Sequence, residues 1–267
     1  MLPLSEFPVE ARRAVRGVFC DLDDTLTTHG RLTATAYTAL EQLARAELRV
    51  VVITGRPAGW CDHIARMWPL AAVVGENGAF YFRYDQARRT MQRRFVDDDA
   101  TRAAHRARLA AIGREIVKAV PGAAVAADQL YRETDLAIDY CEDVPRLPQQ
   151  AVQNIMALMQ QHGLTAKVSS IHVNGWFGAY DKLTMTRILM RDAFSTDLDA
   201  ARADYVFVGD SPNDAPLFAH FPHAVGVANI HDFNGQLAHT PAYVTRERGG
   251  AGFNEVAECL LAARGRS

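Results

Sequence analysis

The sequence lacks a strong net charge, a long apolar run and a secretory signal, three features that identify large classes of protein. Its 267 residues carry a formal net charge of −2, so the charge balance gives no reason to expect a nucleic-acid partner or an anionic membrane surface. No stretch approaches the roughly 18 consecutive apolar residues that a membrane-spanning helix needs. The first 16 residues carry charges and no apolar core, which argues against a secretory signal.

Cysteine and lysine are both scarce. The four cysteines form no Cys-x-x-Cys pair and no cluster with histidines, so we expect neither a disulfide framework nor a structural zinc site, and we expect the reducing cytoplasm as the location. Lysine occurs only three times, and a lysine at a chemically required position is therefore informative. The lysines are Lys118, Lys167 and Lys182.

What remains is the composition of an ordinary soluble enzyme, with 49% hydrophobic and 22% charged residues. Short apolar runs alternate with helical patterns at both ends of the chain, which predicts a parallel α/β sheet with right-handed crossovers. The predicted strands there are 17–20, 48–53, 72–74, 205–208 and 223–227. The predicted helices are 33–46, 57–67, 184–194, 212–219 and 254–263.

The middle of the chain has a different pattern. We predict helices over 97–120 and 149–162 and strands over 136–140 and 166–172, and we interpret the arginine-rich segment 83–94 as a solvated face. The fold class predicted for the whole chain is α/β, with a Rossmann-like parallel-sheet core interrupted by an inserted α+β cap. The predicted core comprises residues 1–84 and 181–267, and the predicted cap comprises residues 85–180.

Three predicted strands run directly into polar segments. The carboxyl ends of parallel strands lie along one edge of the sheet, where open α/β folds bind their ligands. Residues nearly two hundred positions apart are therefore expected to converge at this edge. The segments are 21–25 (Asp-Leu-Asp-Asp-Thr), 54–57 (Thr-Gly-Arg-Pro) and 209–214 (Gly-Asp-Ser-Pro-Asn-Asp).

Four carboxylates would meet there, and their repulsion needs compensation. Even with Lys182 and Arg56 nearby, the local charge stays negative, so protons or a cation must balance it. Clustered carboxylate oxygens suit a hard divalent cation, and we predict Mg²⁺. The four carboxylates are Asp21, Asp23, Asp210 and Asp214.

Two other kinds of site do not match this acidic segment. A calcium loop that began at Asp21 would need glycine at its sixth position and glutamate at its twelfth, where Leu26 and Leu32 stand. The sequence also has no Gly-x-x-x-x-Gly-Lys-Ser/Thr loop, so this is not a P-loop nucleotide site. Two carboxylates spaced i, i+2 at a strand end can flank one reacting centre, as phosphoryl transfer through an aspartyl-phosphate requires.

These segments, together with Thr54 and Lys182, resemble the four motifs of the haloacid dehalogenase superfamily in order and spacing along the whole chain. The insertion between Thr54 and Lys182 resembles the C2 cap of subclass IIB, which includes Cof-type sugar phosphatases and sucrose- and mannosylglycerate-phosphate phosphatases. The segment 76–79 (Glu-Asn-Gly-Ala) is also similar to that subclass. One departure is Asp24, where glycine is commoner.

The resemblance implies chemical roles for four residues. Asp21 would be the nucleophile that accepts the phosphoryl group. Asp23 would protonate the leaving alcohol and then activate water against the aspartyl-phosphate. Thr54 would hydrogen-bond the phosphoryl oxygens, and Lys182 would neutralise them and orient Asp21.

The resemblance also implies a metal site and a substrate side. Asp210 would bind Mg²⁺ together with the Asp21 carboxylate and the backbone carbonyl of Asp23, and Asp214 would support the ion directly or through water. Arg56 and Asn213 would line the phosphate or substrate side. Where the cap returns to the core, Asn174 and Trp176 are candidates for contact with the leaving group.

The expected function is hydrolysis of a small phosphorylated metabolite, with a sugar phosphate as the expected substrate. The cap would close over the site, exclude water and select the leaving group. A phosphomutase is an alternative, because it differs only in returning the phosphoryl group to a sugar. A non-catalytic phosphate-binding protein is the alternative from another class, although such a protein would be expected to lose a catalytic carboxylate or Lys182.

Overall fold

The computed structural model describes residues 1–265, and within them the chain forms two sheets covered by helices. The strands are β1 (Leu2–Pro3), β2 (Gly17–Cys20), β3 (Arg49–Ile53), β4 (Ala72–Gly75), β5 (Phe80–Asp85), β6 (Thr90–Phe95), β7 (Ala124–Val125), β8 (Asp135–Asp139), β9 (Thr165–Val168), β10 (His172–Trp176), β11 (Tyr205–Gly209), β12 (His223–Gly226) and β13 (Tyr243–Val244). The α-helices are α1 (Val9–Ala14), α2 (Ala34–Arg45), α3 (Ala58–Met67), α4 (Asp99–Ala119), α5 (Gln149–Gln161), α6 (Lys182–Phe194), α7 (Ala215–His220) and α8 (Gly249–Ala262). None of these helices combines the length and the apolar content needed to cross a membrane.

The larger sheet has nine strands in the order β1-β13-β12-β11-β2-β3-β4-β5-β6. Its first seven strands are mutually parallel, whereas β5 and β6 pair antiparallel at one side. The smaller sheet has the order β7-β8-β10-β9 and is antiparallel throughout. The predicted fold class, a parallel α/β core with an inserted α+β cap, is therefore confirmed.

The strands of the core are uninterrupted apolar runs because both faces of the sheet are covered. In β3, Val50 and Val52 pack with α2 and α8, whereas Val51 and Ile53 pack with α6 on the opposite face. All four side chains are at most 1% exposed. Each such burial is worth about 1.5–3 kcal/mol, so alternate residues of one strand stabilise both helical layers.

Three segments differ from the sequence prediction. The stretch 83–94, for which no strand was predicted, largely forms the hairpin β5–β6. Four of its five arginines are exposed, as the predicted solvated face requires, and Arg93 lies 5.5 Å from the Phe82 ring centre. The single strand expected over 166–172 is in fact two antiparallel strands, β9 and β10. Helix α8 begins at Gly249 rather than at residue 254.

The early start of α8 has a long-range cause. Its first backbone N–H groups donate to side chains from distant loops, Gly249 to Asn229 Oδ1 at 3.0 Å and Gly250 to Thr28 Oγ1 at 3.1 Å. Free N–H groups at a helix start need such acceptors. The local sequence contains no signal for them.

The cap sheet is covered by α4 and α5, whose apolar side chains share one core with β8 and β10. By hydrogen bonding, β6 belongs to the nine-stranded sheet, although the sequence division placed residues from 85 onward in the cap. The division of the chain into units at 84/85 and 180/181 stays a prediction.

A tight turn joins β4 to β5 and positions the start of α6. Its residues Glu76, Asn77 and Gly78 all have positive φ, at 42°, 56° and 105°. A Cβ at Gly78 would lie 2.1 Å from the carbonyl oxygen of Asp181, the residue before α6. Only glycine permits this approach, which fixes where Lys182 enters the fold.

Gly78→Ala is therefore expected to destabilise the protein more than Gly235→Ala. Both glycines have positive φ, 105° and 79°, where an L-residue costs about 1–2 kcal/mol. Nothing lies within 4 Å of a Cβ at Gly235, so the overpacking penalty of about 1–3 kcal/mol falls on Gly78 alone. Urea unfolding followed by circular dichroism measures both losses, and equal losses would contradict the close approach.

Candidate active site

The three polar segments meet at the carboxyl edge of three neighbouring strands, β11, β2 and β3. Asp210, Asp21 and Thr54 are the first residues after these strands. The backbone N–H of Asp21 donates to the carbonyl of Val208 at 2.9 Å, which continues the sheet pairing up to the site. The convergence expected from the strand ends is what the structure shows.

Lys182 joins this group from the first residue of α6. The Asp181 side chain accepts a hydrogen bond from the Thr184 N–H at 2.7 Å and caps the helix. Lys182 Nζ lies 2.6 Å from Asp21 Oδ1 and 2.9 Å from Asp214 Oδ1, with only 5% of the residue exposed. Burial by itself lowers the pKa of Lys182, but the two carboxylates outweigh it and raise that pKa above its usual value.

Asp21, Asp210 and Asp214 form a buried acidic group. Each offers a carboxylate oxygen, and these oxygens lie within 4.8 Å of one another. Burial, together with Asp214, raises the pKa of Asp21 to about 7 although Lys182 acts in the opposite direction. Burial and the two neighbouring carboxylates likewise raise the pKa of Asp210 well above its ordinary value.

This donor set fits Mg²⁺. One lysine does not balance three buried carboxylates, and hard anionic oxygens are the ligands that Mg²⁺ prefers. Two carboxylates are already oriented: Thr25 Oγ1 donates to Asp210 at 3.1 Å, and the Asp210 N–H donates to Asp214 Oδ2 at 3.2 Å. The Asp23 carboxylate is not part of this group, and the role of its backbone carbonyl stays a prediction.

The Asp23 side chain is directed to Arg56 instead. The Arg56 guanidinium donates to Asp23 Oδ1 at 2.9 Å and to Glu142 Oε1 of the cap at 2.7 Å. Its carbon atom lies 4.5 Å from the Trp60 ring centre. Burial acts to raise the pKa of Glu142, but hydrogen bonds from His172 and Arg56 lower it to about 2. Arg56 therefore links the predicted acid–base residue to the cap.

Thr54 and Asn213 lie on either side of Asp21. Thr54 is fully buried, and its Oγ1 accepts from the Arg56 N–H at 3.0 Å, which leaves the hydroxyl oriented as a donor. Asn213 Oδ1 accepts from Ser211 Oγ at 2.9 Å in the loop after β11. Asn213 and Ser211 both line a cavity that Asp21 and Asp23 also line.

The cap closes this cavity with residues of which the sequence assigned a role only to Asn174. Its volume is about 20 Å³, room for about one water molecule, so a phosphoryl group does not fit while the cap is in this position. Asn174, a candidate from the sequence, lines it, whereas Trp176 is 1% exposed and donates to the Tyr180 carbonyl. The cap residues that line it are Arg132, Ser169, Ser170, Ile171, His172 and Asn174.

Two further buried ionisable residues, to which the sequence assigned no chemical role, attach the cap to the core. Glu76 accepts hydrogen bonds from the backbone N–H groups of Glu133 at 2.9 Å and Thr134 at 2.6 Å, and burial raises its pKa to about 7. Arg132 donates to the Gly55 carbonyl at 2.9 Å and pairs with Asp135. The motif Glu-Asn-Gly was the only sequence signal for this junction.

Comparison with known proteins agrees with this geometry. Residues 18–111 match the sequence profile of the haloacid dehalogenase-like hydrolases. No curated protein sequence matches the chain.

Solved structures match nearly the whole chain. A HAD/COF-like hydrolase of Plasmodium vivax is 15% identical, with a TM-score of 0.67 over 96% of this chain and 99% of the other. A Thermoplasma acidophilum protein is 19% identical, with a TM-score of 0.66 over 92% and 98%. The sucrose-phosphatase of Synechocystis, solved with sucrose and phosphate, is 15% identical, with a TM-score of 0.62 over 92% and 98%.

The profile covers the motif-bearing first third of the chain, and the structural matches extend the same fold through the cap and the closing core segment. The resemblance drawn from the sequence agrees with both comparisons: residues 18–111 match the haloacid dehalogenase-like hydrolases, and nearly the whole chain shares the fold of the Cof-like hydrolase and of the sucrose-phosphatase.

Proposed function

We propose that the protein is a Mg²⁺-dependent phosphatase that hydrolyses a small phosphorylated metabolite, a sugar phosphate, through an aspartyl-phosphate on Asp21. The observation that carries the proposal is the position of the Asp21 carboxylate. It lies 2.6 Å from Lys182 Nζ, beside two further buried carboxylates, at the ligand-binding edge of a parallel sheet. Asp23 follows two residues later, and Arg56 joins it to Glu142 of the predicted cap.

In the first step an Asp21 oxygen attacks phosphorus and the ester oxygen leaves with its electron pair. Lys182 holds the attacking carboxylate in position and offsets negative charge on the phosphoryl oxygens. Thr54 donates its hydroxyl hydrogen to one of these oxygens. Mg²⁺, held by Asp21, Asp210 and Asp214, would supply the remaining charge neutralisation.

Asp23 acts as the general acid in the first step and as the general base in the second. It gives a proton to the leaving oxygen and then removes one from the water that attacks the aspartyl-phosphate. In the closed structure Arg56 donates to Asp23, so the anionic substrate and Asp23 compete for one guanidinium. We infer that the phosphoryl group draws Arg56 and Asn213 toward itself and releases Asp23 for proton transfer.

The cap must move for substrate to enter, because the closed cavity holds about one water. Closure then excludes bulk water from the phosphoryl group. The four cysteines are free thiols, which supports a cytoplasmic location for the enzyme.

Asp21→Asn is expected to lower phosphate release by at least about 10³-fold, because the amide is not a nucleophile. The matched control is Asp24→Asn, a neighbouring carboxylate with no role in the proposal; its φ of 57° suits asparagine. Phosphate release is measured over a panel of sugar phosphates, with circular dichroism to verify folding. Full activity of Asp21→Asn would exclude it as the nucleophile.

Removal of divalent cations with EDTA is expected to abolish turnover, and Mg²⁺ is expected to restore it. Asp210→Asn should raise the Mg²⁺ concentration for half-maximal activity at least about tenfold, because one anionic ligand becomes neutral. Turnover that EDTA leaves unchanged would contradict the metal site.

Product analysis distinguishes hydrolysis from phosphoryl transfer within the substrate. One phosphate released per ester consumed supports hydrolysis, whereas a phosphorylated isomer without free phosphate would support a mutase.

A further inference from the structure

A second, larger cavity lies on the other side of Asp23. Its volume is about 490 Å³, within the range of small-molecule sites, whereas the closed cavity at Asp21 measures about 20 Å³. Asp23 lines both cavities. The predicted acid–base residue therefore lies between the two cavities and borders each of them.

The walls of this second cavity are mainly apolar and aromatic. Trp60 and Trp68, within and just after α3, form one wall with Ile64, and Tyr131 of the cap forms another. Trp60 is 42% exposed and Tyr131 is 58% exposed, which is unusual for such large rings. Concave surfaces with exposed aromatic rings and few polar groups are typical of ligand sites.

The position of this cavity matches one part of the proposed reaction, and the inference rests on that proposed function. In an in-line displacement the leaving oxygen lies opposite the nucleophile. Asp23 must contact that oxygen to protonate it. The group attached to the leaving oxygen then extends beyond Asp23, in the direction of the second cavity.

We propose that this cavity binds the part of the leaving alcohol remote from the phosphate, and that this part is an apolar or aromatic ring. The substrate is then a phosphate monoester whose alcohol carries a ring beyond its reacting carbon. A sugar phosphate substituted with such a ring meets this description. A hydroxyl-rich group would suit the cavity poorly, because its polar atoms would lose water and find few partners.

The chemistry of the lining favours a flat ring. Trp60 stacks against Arg56, with the guanidinium carbon 4.5 Å from the ring centre, and also lines the cavity. Aromatic pairs gain energy from stacked and edge-to-face contacts beyond simple burial. The cavity is bounded by the core on one side and by Tyr131 of the cap on the other, so a bound ring would lie between the two in the closed structure.

The first test compares 2-phenylethyl phosphate with ethyl phosphate. Both esters have a primary aliphatic leaving oxygen, so a difference in kcat/KM reports binding of the ring rather than leaving-group acidity. We expect kcat/KM to be at least about tenfold higher for 2-phenylethyl phosphate.

Two variants of exposed cavity residues should remove this preference. Tyr131→Ala deletes one wall, and His63→Trp fills the cavity from an exposed position. Both should leave kcat/KM for ethyl phosphate within about threefold of the wild type while lowering it for the phenyl ester. Leu130→Ala is the matched control, because this neighbouring residue is 92% exposed and does not line the cavity.

A second measurement does not depend on turnover. Two of the three tryptophans, Trp60 and Trp68, line the cavity, whereas Trp176 is buried at the end of β10. Titration with 2-phenylethanol should change tryptophan emission in a saturable way, ethanol should not, and Tyr131→Ala should weaken the response.

The outcomes separate this inference from the proposed function. Hydrolysis of both esters at equal kcat/KM, without an emission change, would refute the ring site and leave the phosphatase intact. A preference for the phenyl ester that survives both Tyr131→Ala and His63→Trp would also refute it. Binding of 2-phenylethanol without hydrolysis of either ester would refute the phosphatase and the leaving-group role together.

Discussion

The ion pair network around Lys182 is the constraint on which the rest of the site depends. Its ammonium lies between the carboxylates of Asp21 and Asp214, all three groups are buried, and removing one partner of a buried pair typically costs about 3–5 kcal/mol. The first turn of α6 must therefore stay where the ammonium can reach both acids. The close approach of Gly78 to Asp181 fixes that turn, so a glycine outside the acidic group determines where Lys182 meets Asp21.

The junction between cap and core contains several polar contacts, and this suits the opening and closing of the cap that the proposed reaction needs. Glu76, Arg132 and Arg56 each hold the two units together through hydrogen bonds that water can replace when the cap opens. Polar interfaces within one chain commonly permit relative motion. The same contacts place Arg56 between Asp23 and Glu142, so in the proposed reaction an anionic substrate would act on the junction and on Asp23 together.

Where sequence prediction failed, the cause was contact between distant residues. The hairpin β5–β6 was missed because most arginines of 83–94 are exposed, as on any solvated face, whereas the two strands are defined by their pairing with each other and with β4. The start of α8 was placed too late because its N–H groups are capped from Asn229 and Thr28. The turn between β9 and β10 carries no glycine or asparagine, and the residues that close the cavity lie in and beside it.

The sequence by itself determined the parallel sheet and the polar residues at its carboxyl edge. Unbroken β-branched runs suit strands buried on both faces, and all parallel strands end on one side. Only the tertiary structure decided which cap residues reach the site, that Arg56 pairs with Asp23, and that an aromatic cavity adjoins it. The physical reason is that strand formation follows from local patterns of burial, whereas contacts between the inserted unit and the core depend on how two separately packed layers meet.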